Sequence, residues 1–136
     1  MNNLEQTLSI IKPDAIERNL EKEIKNTFAS KGFKIVKEKK IMLEKTEAEE
    51  FYKIHQTKPF YNDLCEYLSS GPIVVMILEK ENAIKENRSL MGATNPKEAV
   101  DGTIRKKYGI SIDKNSVHGS DSSENAEKEI NFFFKN

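Results

Sequence analysis

The residue with the most evident chemical potential is His118, which lies in the segment Asn-Ser-Val-His-Gly-Ser-Asp at positions 115–121. Histidine is the side chain that most readily serves as a nucleophile or proton carrier near neutral pH. The neighbouring residues are small and polar, and Gly119 would allow the backbone to approach a bulky ligand closely. Considered by itself, His118 is more commonly interpreted as a loop histidine that only makes a hydrogen bond.

A carboxylate that could act on His118 is provided by Glu129, about two turns inside a C-terminal helix. That helix is indicated by apolar residues at helical spacing, namely Ala126, Ile130, Phe133 and Phe134. We predict that Asp121 caps the helix and that Glu124 completes a pattern similar to a capping box. From this helix Glu129 could orient the imidazole and stabilise its cationic form. The alternative is an exposed helix residue.

Three cations, Lys12, Arg88 and Arg105, lie where the chain leaves regular structure. Transfer of a phosphoryl group from a triphosphate needs such donors, because charge spreads over several oxygens in the transition state. Each cation alone could equally be ordinary surface charge. The sequence contains neither Gly-x4-Gly-Lys-Ser/Thr nor Gly-x-Gly-x-x-Gly, so any nucleotide would be held by side chains.

Two aromatic residues, Tyr52 and Phe60, lie on either side of His55. An aromatic ring can stack on a nucleotide base without reading its identity, because every base offers a π-face. The more common use of such residues is to fill the apolar stripe of a helix. Both interpretations remain open from spacing alone.

Length and charge exclude several classes of protein. The 136 residues suit one domain spanning 1–136, and 22 basic residues balance 22 acidic ones, which disfavours a nucleic-acid-binding protein. Cys65 is the only cysteine, so neither an internal disulfide nor a Cys/His metal cage is possible. The N-terminus lacks the features of a leader peptide, and the apolar run Ile73–Leu78 is far shorter than the ~20 residues of a membrane span. We therefore expect a cytoplasmic protein.

Hydrophobic patterning predicts three strands and several amphipathic helices. The strands are Leu8–Ile11, Phe33–Leu43 and Ile73–Leu78. The second turns polar in its later half, which indicates that this half runs toward an edge of the sheet or toward the surface. The predicted helices cover residues 19–30, a segment capped by Thr46 with Glu49 in a capping box, a segment from Pro59 to Leu68, residues 82–90 and the C-terminal helix. Residues 91–120 are predicted to form a long loop with a helical turn at 103–108, and Lys12-Pro13-Asp14 is predicted to form a turn. This order favours an α+β fold with a small antiparallel sheet covered by helices.

Taken together, five segments resemble the nucleoside diphosphate kinase family, in order and nearly end to end. They are Ile-Lys-Pro-Asp at 11–14, Tyr-x-x-His-x-x-Lys-Pro-Phe at 52–60, Arg-x-x-Met-Gly-Ala-Thr-Asn-Pro at 88–96, Gly-Thr-Ile-Arg at 102–105 and Asn-x-x-His-Gly-Ser-Asp at 115–121. The resemblance implies a ferredoxin-like βαββαβ sandwich with a four-stranded antiparallel sheet covered by helices.

The resemblance also implies a reaction and a role for each matching residue. The γ-phosphoryl group would pass, mainly from ATP, to nucleoside diphosphates through a phosphohistidine at His118, by ping-pong transfer that maintains NTP and dNTP pools. Ser120 and Glu129 would orient that histidine, and Tyr52 would lie close to it and to Lys12. The implied nucleotide contacts are Lys12, Arg88, Thr94, Arg105 and Asn115 for phosphates and ribose hydroxyls, Phe60 for stacking on the base, and Leu64 and Ile112 flanking it.

The same resemblance sets expectations for the cofactor and the assembly. Mg²⁺ would arrive with the nucleotide phosphates rather than on protein ligands, and the chain would form a homo-oligomer, either a tetramer or a hexamer. Neither a membrane nor a nucleic acid would be required.

Two other functions remain to be compared with the structure. A ferredoxin-like ligand-binding or regulatory domain without turnover predicts that His118 and Glu129 do not touch and that the arginine side chains diverge. A histidine phosphotransfer module would be a helical bundle, against which the strand at Ile73–Leu78 argues.

Overall fold

The protein is built around a four-stranded antiparallel sheet in the computed structural model, which describes residues 4–112 and 114–134. The strands are β1 (Leu4–Ile11), β2 (Lys34–Ile41), β3 (Ile73–Glu81) and β4 (Val117–Gly119), in the order β2-β3-β1-β4. This antiparallel order, with helices between the strands, is the ferredoxin-like arrangement. The predicted fold class is confirmed, and β2 lies at an edge, as its polar half indicated.

Seven helices cover the two faces of the sheet in the described part of the chain. They are α1 (Pro13–Glu17), α2 (Glu21–Ser30), α3 (Lys45–Phe51), α4 (Tyr61–Leu68), α5 (Ala83–Met91), α6 (Ile104–Tyr108) and α7 (Ser123–Phe134), with short 3-10 turns at Lys53–His55 and Pro96–Glu98. No helix within these residues has the length and apolar character to span a bilayer.

Alternation along the central strand β1 separates two hydrophobic cores. Ile11 faces α2 and packs with Ile24 and Phe28, whereas Leu8 and Ile10 face the opposite way, toward α3, α4 and α7. Successive side chains of a strand point to opposite faces, so a central strand needs apolar residues of both parities. The same requirement explains the continuous apolar run of β3, in which the residues at 73–78 are all buried.

Two elements were not predicted from the sequence. The segment that contains His118 is the strand β4, which pairs Ile10 with His118 and Ile11 with Val117, so the predicted loop histidine lies on a strand instead. Three residues are too few for a period of two to be recognised. The predicted turn after Lys12 is instead the beginning of α1, with Pro13 at the first helical position, where its missing N–H costs nothing.

Three predicted helix beginnings are corrected by the structure. Helix α3 begins before Thr46, and the carboxylate of Glu47 accepts the backbone N–H of Glu44 at 2.9 Å. Ser122 rather than Asp121 accepts the backbone N–H of Asn125 at the start of α7, at 3.1 Å. In both cases a neighbouring side chain satisfies the same orphan backbone donors. Residue 19, predicted to start a helix, has a positive φ of 60° that separates α1 from α2.

Candidate active site

The imidazole of His118 is held by a carboxylate and a hydroxyl from the segment that follows it. Its Nε2 lies 2.9 Å from Oε1 of Glu129 on α7, and Ser120 Oγ donates a hydrogen bond to the same oxygen at 2.8 Å. This contact is the one that a domain without turnover would lack. The predicted trio of His118, Ser120 and Glu129 is therefore assembled by the fold.

The orientation of Ser120 is fixed by β1. Leu8 donates its backbone N–H to Ser120 Oγ at 3.3 Å, and the N–H of Ser120 is donated to the carbonyl of Leu8 at 3.2 Å. Because the hydroxyl accepts from Leu8, its own proton is directed to Glu129. That carboxylate oxygen therefore accepts two hydrogen bonds when Nε2 of His118 is protonated, which leaves the lone pair of a neutral ring on Nδ1.

Gly119 allows helix α5 to pack directly behind the strand that carries His118. A Cβ atom at this position would lie 2.4 Å from Nδ2 of Asn87 and 2.8 Å from Cε of Met91. Such separations are far below van der Waals contact, so no larger residue fits without a shift. The close approach predicted for Gly119 is thus made by a helix of the protein rather than by a ligand.

Aromatic rings line the other side of the imidazole. Phe51 meets His118 edge to face with 5.3 Å between ring centroids, and Tyr52 follows at 5.1 Å from Phe51. A cavity of about 260 Å³ is lined by these rings together with His55 and Glu129. Phe51 was not among the predicted site residues, although it directly precedes Tyr52 and the sequence spacing places it on one helix face with Ala48 and His55. Its position on that face was the available signal.

Tyr52 lies close to the reactive region but is almost wholly buried, with 7% of its surface exposed. Burial raises the pKa of its phenol well above the ordinary range, and the negative charge of Glu129 acts in the same direction. The hydroxyl therefore remains protonated at physiological pH and can serve only as a neutral hydrogen-bonding group.

Lys12 and Asn115 form a buried polar link between three segments. Lys12 Nζ donates to Oδ1 of Asn115 at 2.8 Å, and Nδ2 of Asn115 donates to the carbonyl of Thr94 at 3.1 Å. These two hydrogen bonds hold together the end of β1, the loop after α5 and the segment just before β4. Three of the predicted nucleotide contacts are adjacent in space although up to 103 residues separate them in sequence.

The two arginines converge rather than diverge. Arg88, Thr94 and Arg105 line one cavity of about 950 Å³. Arg105 is 8% exposed and donates through its two terminal nitrogens to the carbonyls of Gly92 and Val117, at 3.0 and 2.8 Å. Burial, followed by the nearby charge of Arg88, lowers the pKa of Arg105 to about 10, so the guanidinium is still a cation at neutral pH.

A carboxylate faces the same cavity. Asp121, which we expected only to cap a helix, lines it together with Arg88 and Arg105. A hydrogen bond from the side chain of Asn125 is the main reason why the pKa of Asp121 is lowered. Within the described ranges no group of three or more His, Cys, Asp or Glu side chains is arranged to hold a metal ion.

The residues expected to contact the base are less closely assembled. Phe60 and Ile112 are 43% and 55% exposed, whereas Leu64 packs partly against the core on the α4 side of the sheet. The Phe60 ring lies 6.2 Å from His55, measured between centroids. Two of the three predicted base contacts are therefore at the surface, and the third contributes mainly to packing.

Comparison with known proteins connects this geometry to one family. The family model for nucleoside diphosphate kinase matches residues 5–136. The nucleoside diphosphate kinase of Campylobacter curvus is 57% identical over 131 residues, which cover 96% of each chain. That of Geobacter sulfurreducens is 56% identical over 131 residues, with the same coverage of both chains.

Solved structures agree with the sequence relatives. The crystal structure of the Aquifex aeolicus nucleoside diphosphate kinase superposes with a TM-score of 0.95 at 41% identity, covering 97% of this chain and 96% of that one. The nucleoside diphosphate kinase from Encephalitozoon cuniculi gives a TM-score of 0.94 at 39% identity, covering 97% of this chain and 90% of that one.

The close packing at Gly119 predicts that Gly119→Ala destabilises the protein by about 1–3 kcal/mol, because the added methyl group overpacks the space beside α5. Urea unfolding measures the loss. Asn87→Ala removes the nearest obstructing atom but leaves Met91, so the double variant should recover part of the loss in stability. Two results would contradict this explanation: a Gly119→Ala protein as stable as the wild type, or a double variant whose loss of unfolding free energy equals the sum of the losses in Gly119→Ala and Asn87→Ala.

Buried tyrosines predict a loss of stability at alkaline pH. Burial raises the pKa of Tyr52 above the ordinary 10.0, and burial with a hydrogen bond to Asp14 does the same for Tyr67. The unfolded chain releases these protons near pH 10 while the folded protein keeps them, so the free energy of unfolding falls as pH rises above 10. Urea unfolding across this range should show a smaller decline for Tyr52→Phe. An equal decline in both proteins would contradict the assignment.

Proposed function

This chain belongs to the nucleoside diphosphate kinase family, and from that membership we propose how its residues carry out the reaction. The enzyme transfers the terminal phosphoryl group of a nucleoside triphosphate to a nucleoside diphosphate. We propose that His118 carries the group between two half-reactions, with ATP as the main donor. The observations that support this most directly are the contact of His118 with Glu129 and the hydrogen bond that Arg105, from the arginine-lined cavity, donates to the neighbouring Val117.

The hydrogen bond of Nε2 to Glu129 makes Nδ1 the attacking atom. In the first half-reaction Nδ1 forms a bond to the γ-phosphorus, the bond from that phosphorus to the β–γ bridging oxygen breaks, and the diphosphate leaves with the electron pair. The second half-reaction reverses these steps with another nucleoside diphosphate. Since the ring becomes cationic as the Nδ1–phosphorus bond forms, the carboxylate of Glu129 stabilises it. Ser120 holds that carboxylate in line.

Positive charge for the phosphates comes from groups that the fold has already placed. Arg105 uses one N–H on each terminal nitrogen for backbone carbonyls, and its Nε has no partner among the described residues. A guanidinium has five N–H donors; since the Nε is buried, the second N–H of each terminal nitrogen remains for phosphate oxygens. Arg88, Thr94 and the pair of Lys12 and Asn115 would hold the remaining phosphates and the ribose.

The exposed Phe60 ring would stack on the base, with Leu64 and Ile112 beside it. Stacking does not distinguish purines from pyrimidines, which suits an enzyme acting on many nucleotides. Tyr52, buried next to His118, would donate a neutral hydrogen bond near the transferred group.

Magnesium would enter with the nucleotide. Mg²⁺ prefers oxygen ligands and usually keeps phosphate and water among them, and it would neutralise charge on the β- and γ-phosphates. The carboxylate of Asp121 faces the same cavity as Arg88 and Arg105 and is the group placed to meet such an ion.

We place the enzyme in the cytoplasm, where it would maintain NTP and dNTP pools as a single domain over residues 1–136. We further propose that it forms a homo-oligomer, either a tetramer or a hexamer. Neither membranes nor nucleic acids enter the proposed reaction. Solution mass by light scattering distinguishes the two assemblies.

The nucleophile assignment is tested by isotope transfer. With γ-labelled ATP and magnesium, the wild type should gain acid-labile phosphate and then pass it to added nucleoside diphosphate. His118→Ala should lose both, with turnover reduced at least ~10³-fold. The chain contains only two histidines, so His55→Ala, which should still be labelled, is the matched control. Label retained by His118→Ala and absent from His55→Ala would overturn the proposal.

The role of Arg105 is tested by separating kcat from KM. A preorganised donor acts most strongly where charge develops, so Arg105→Ala should lower kcat by ~10²–10³-fold with a much smaller rise in KM. Lys106→Ala, which removes an exposed cation from the same helix, should change either constant by less than about twofold. A rise in KM at unchanged kcat would mean that Arg105 only binds the substrate.

A further inference from the structure

Ser116, two residues before His118, has a backbone conformation that its residue type disfavours. Its φ is +75°, and the N–H of Val117 is donated to the carbonyl of Asn115 at 2.9 Å, which closes a γ-turn. The other non-glycine residues with positive φ in the described chain are Asn19 and Asn82, and asparagine tolerates this region better than serine. Such a turn is strained and persists only where the surroundings fix it.

The side chain of Ser116 is held by the carboxylate of Asp14 and by Arg18, a terminal nitrogen of which donates to Ser116 Oγ at 3.3 Å. Ser116 Oγ donates to Oδ2 of Asp14 at 3.1 Å, and a terminal nitrogen of Arg18 donates to the same oxygen at 3.0 Å. On the backbone side, the carbonyl of Ser116 accepts the N–H of Lys12 at 2.8 Å. The turn is therefore held at both its side chain and its main chain.

Asp14 is itself rigidly anchored. Its side chain is 3% exposed, its Oδ1 accepts a hydrogen bond from the Tyr67 hydroxyl, and its N–H is donated to that hydroxyl at 2.7 Å. Arg18 also donates to the carbonyls of Asp14 and Tyr108. Together, Asp14 and Arg18 thus connect α1, α4 and the end of α6 to the turn at Ser116. An isolated surface ion pair would connect only two side chains.

The turn lies between Asn115 and the strand that carries His118, the two residues to which the proposed function gives roles in the reaction. Asn115 precedes it and binds Lys12 and Thr94. Val117 follows it, accepts from Arg105 through its carbonyl, and begins the strand that carries His118. If Ser116 relaxed to an ordinary backbone conformation, the chain would change direction between Asn115 and His118, and both could not keep their partners.

We propose that Asp14 is a positioning residue for phosphoryl transfer, which acts by holding the strained turn at Ser116 and so sets Asn115 relative to His118. This rests on the proposed function, because only there do Asn115 and His118 serve one reaction. Asp14 touches neither substrate nor the reacting atoms in this role.

Two substitutions at Ser116 separate the hydroxyl from the backbone requirement. Ser116→Ala removes the hydroxyl and keeps a side chain that disfavours positive φ, whereas Ser116→Gly removes it and adopts positive φ freely. We expect Ser116→Ala to slow single-turnover labelling of His118 at saturating ATP by about tenfold and Ser116→Gly by less than about threefold. Equal rates for the two variants would overturn the proposal.

Asp14→Asn then tests the connection directly. In the wild-type background it should slow labelling by about tenfold, because the charged acceptor of three side-chain hydrogen bonds is lost. In the Ser116→Gly background the turn no longer needs an anchor, so the same substitution should slow labelling by less than about twofold. A residue that only supports the fold would give the same loss in both backgrounds, and that result would overturn the proposal.

Glu17→Gln is the matched control, since this exposed carboxylate lies on the same helix and lines the same surface hollow as Asp14. Unfolding free energies measured in parallel show whether Asp14→Asn merely reduces the folded fraction, which would also overturn the proposal. If Asp14→Asn does not fold, the comparison of the two Ser116 variants still decides. Failure of the proposed function is distinguishable, because wild-type labelling would then not depend on His118.

Discussion

The pairing of β4 with β1 determines where His118 lies, and the site is arranged around it. A strand of only three residues forms few ladder hydrogen bonds, so the ladder alone fixes it weakly. Three further contacts fix the position of β4. Leu8 is hydrogen-bonded to Ser120, the N–H of Lys12 is donated to the carbonyl of Ser116, and α5 packs against Gly119. Two of these contacts come from β1 and the residue that follows it, and the third comes from α5, so the imidazole is positioned by tertiary structure rather than by its own segment.

Electrostatic preorganisation follows from the same arrangement. The guanidinium of Arg105 is buried and bound to two backbone carbonyls, and none of the ion pairs within the described residues involves it. Carbonyl dipoles orient the cation without cancelling its charge, as a carboxylate would. Folding has therefore already removed water from the guanidinium and fixed its orientation before a phosphate binds. Hydrogen-bond donors stabilise developing charge most strongly when they are fixed in advance in this way.

The sequence predicted which residues form the site better than it predicted the secondary structure that holds them. The sequence pattern indicated His118 and Glu129, the family resemblance added Ser120, and the structure brings the three into contact. The strand under His118 was not predictable, because its hydrogen bonds go to β1 and leave no local periodicity. Glu44 and Ser122 replaced the predicted caps, since several short polar side chains near a helix start can satisfy the same donors. The fold class was predictable because the long apolar patterns of β1, β3 and the helices reflect burial directly.

Helix α7 gives the site a dependence on local stability. Glu129 reaches His118 only while α7 is docked through Ala126, Ile130 and Phe133, and an outer helix held by a few buried side chains opens locally more readily than central strands do. Each opening of α7 would remove the carboxylate from the imidazole although the sheet and the arginines stayed in place. The fraction of molecules competent for transfer is therefore limited by the local opening of α7 and not by global unfolding. Amide hydrogen exchange of α7 measures this local equilibrium directly.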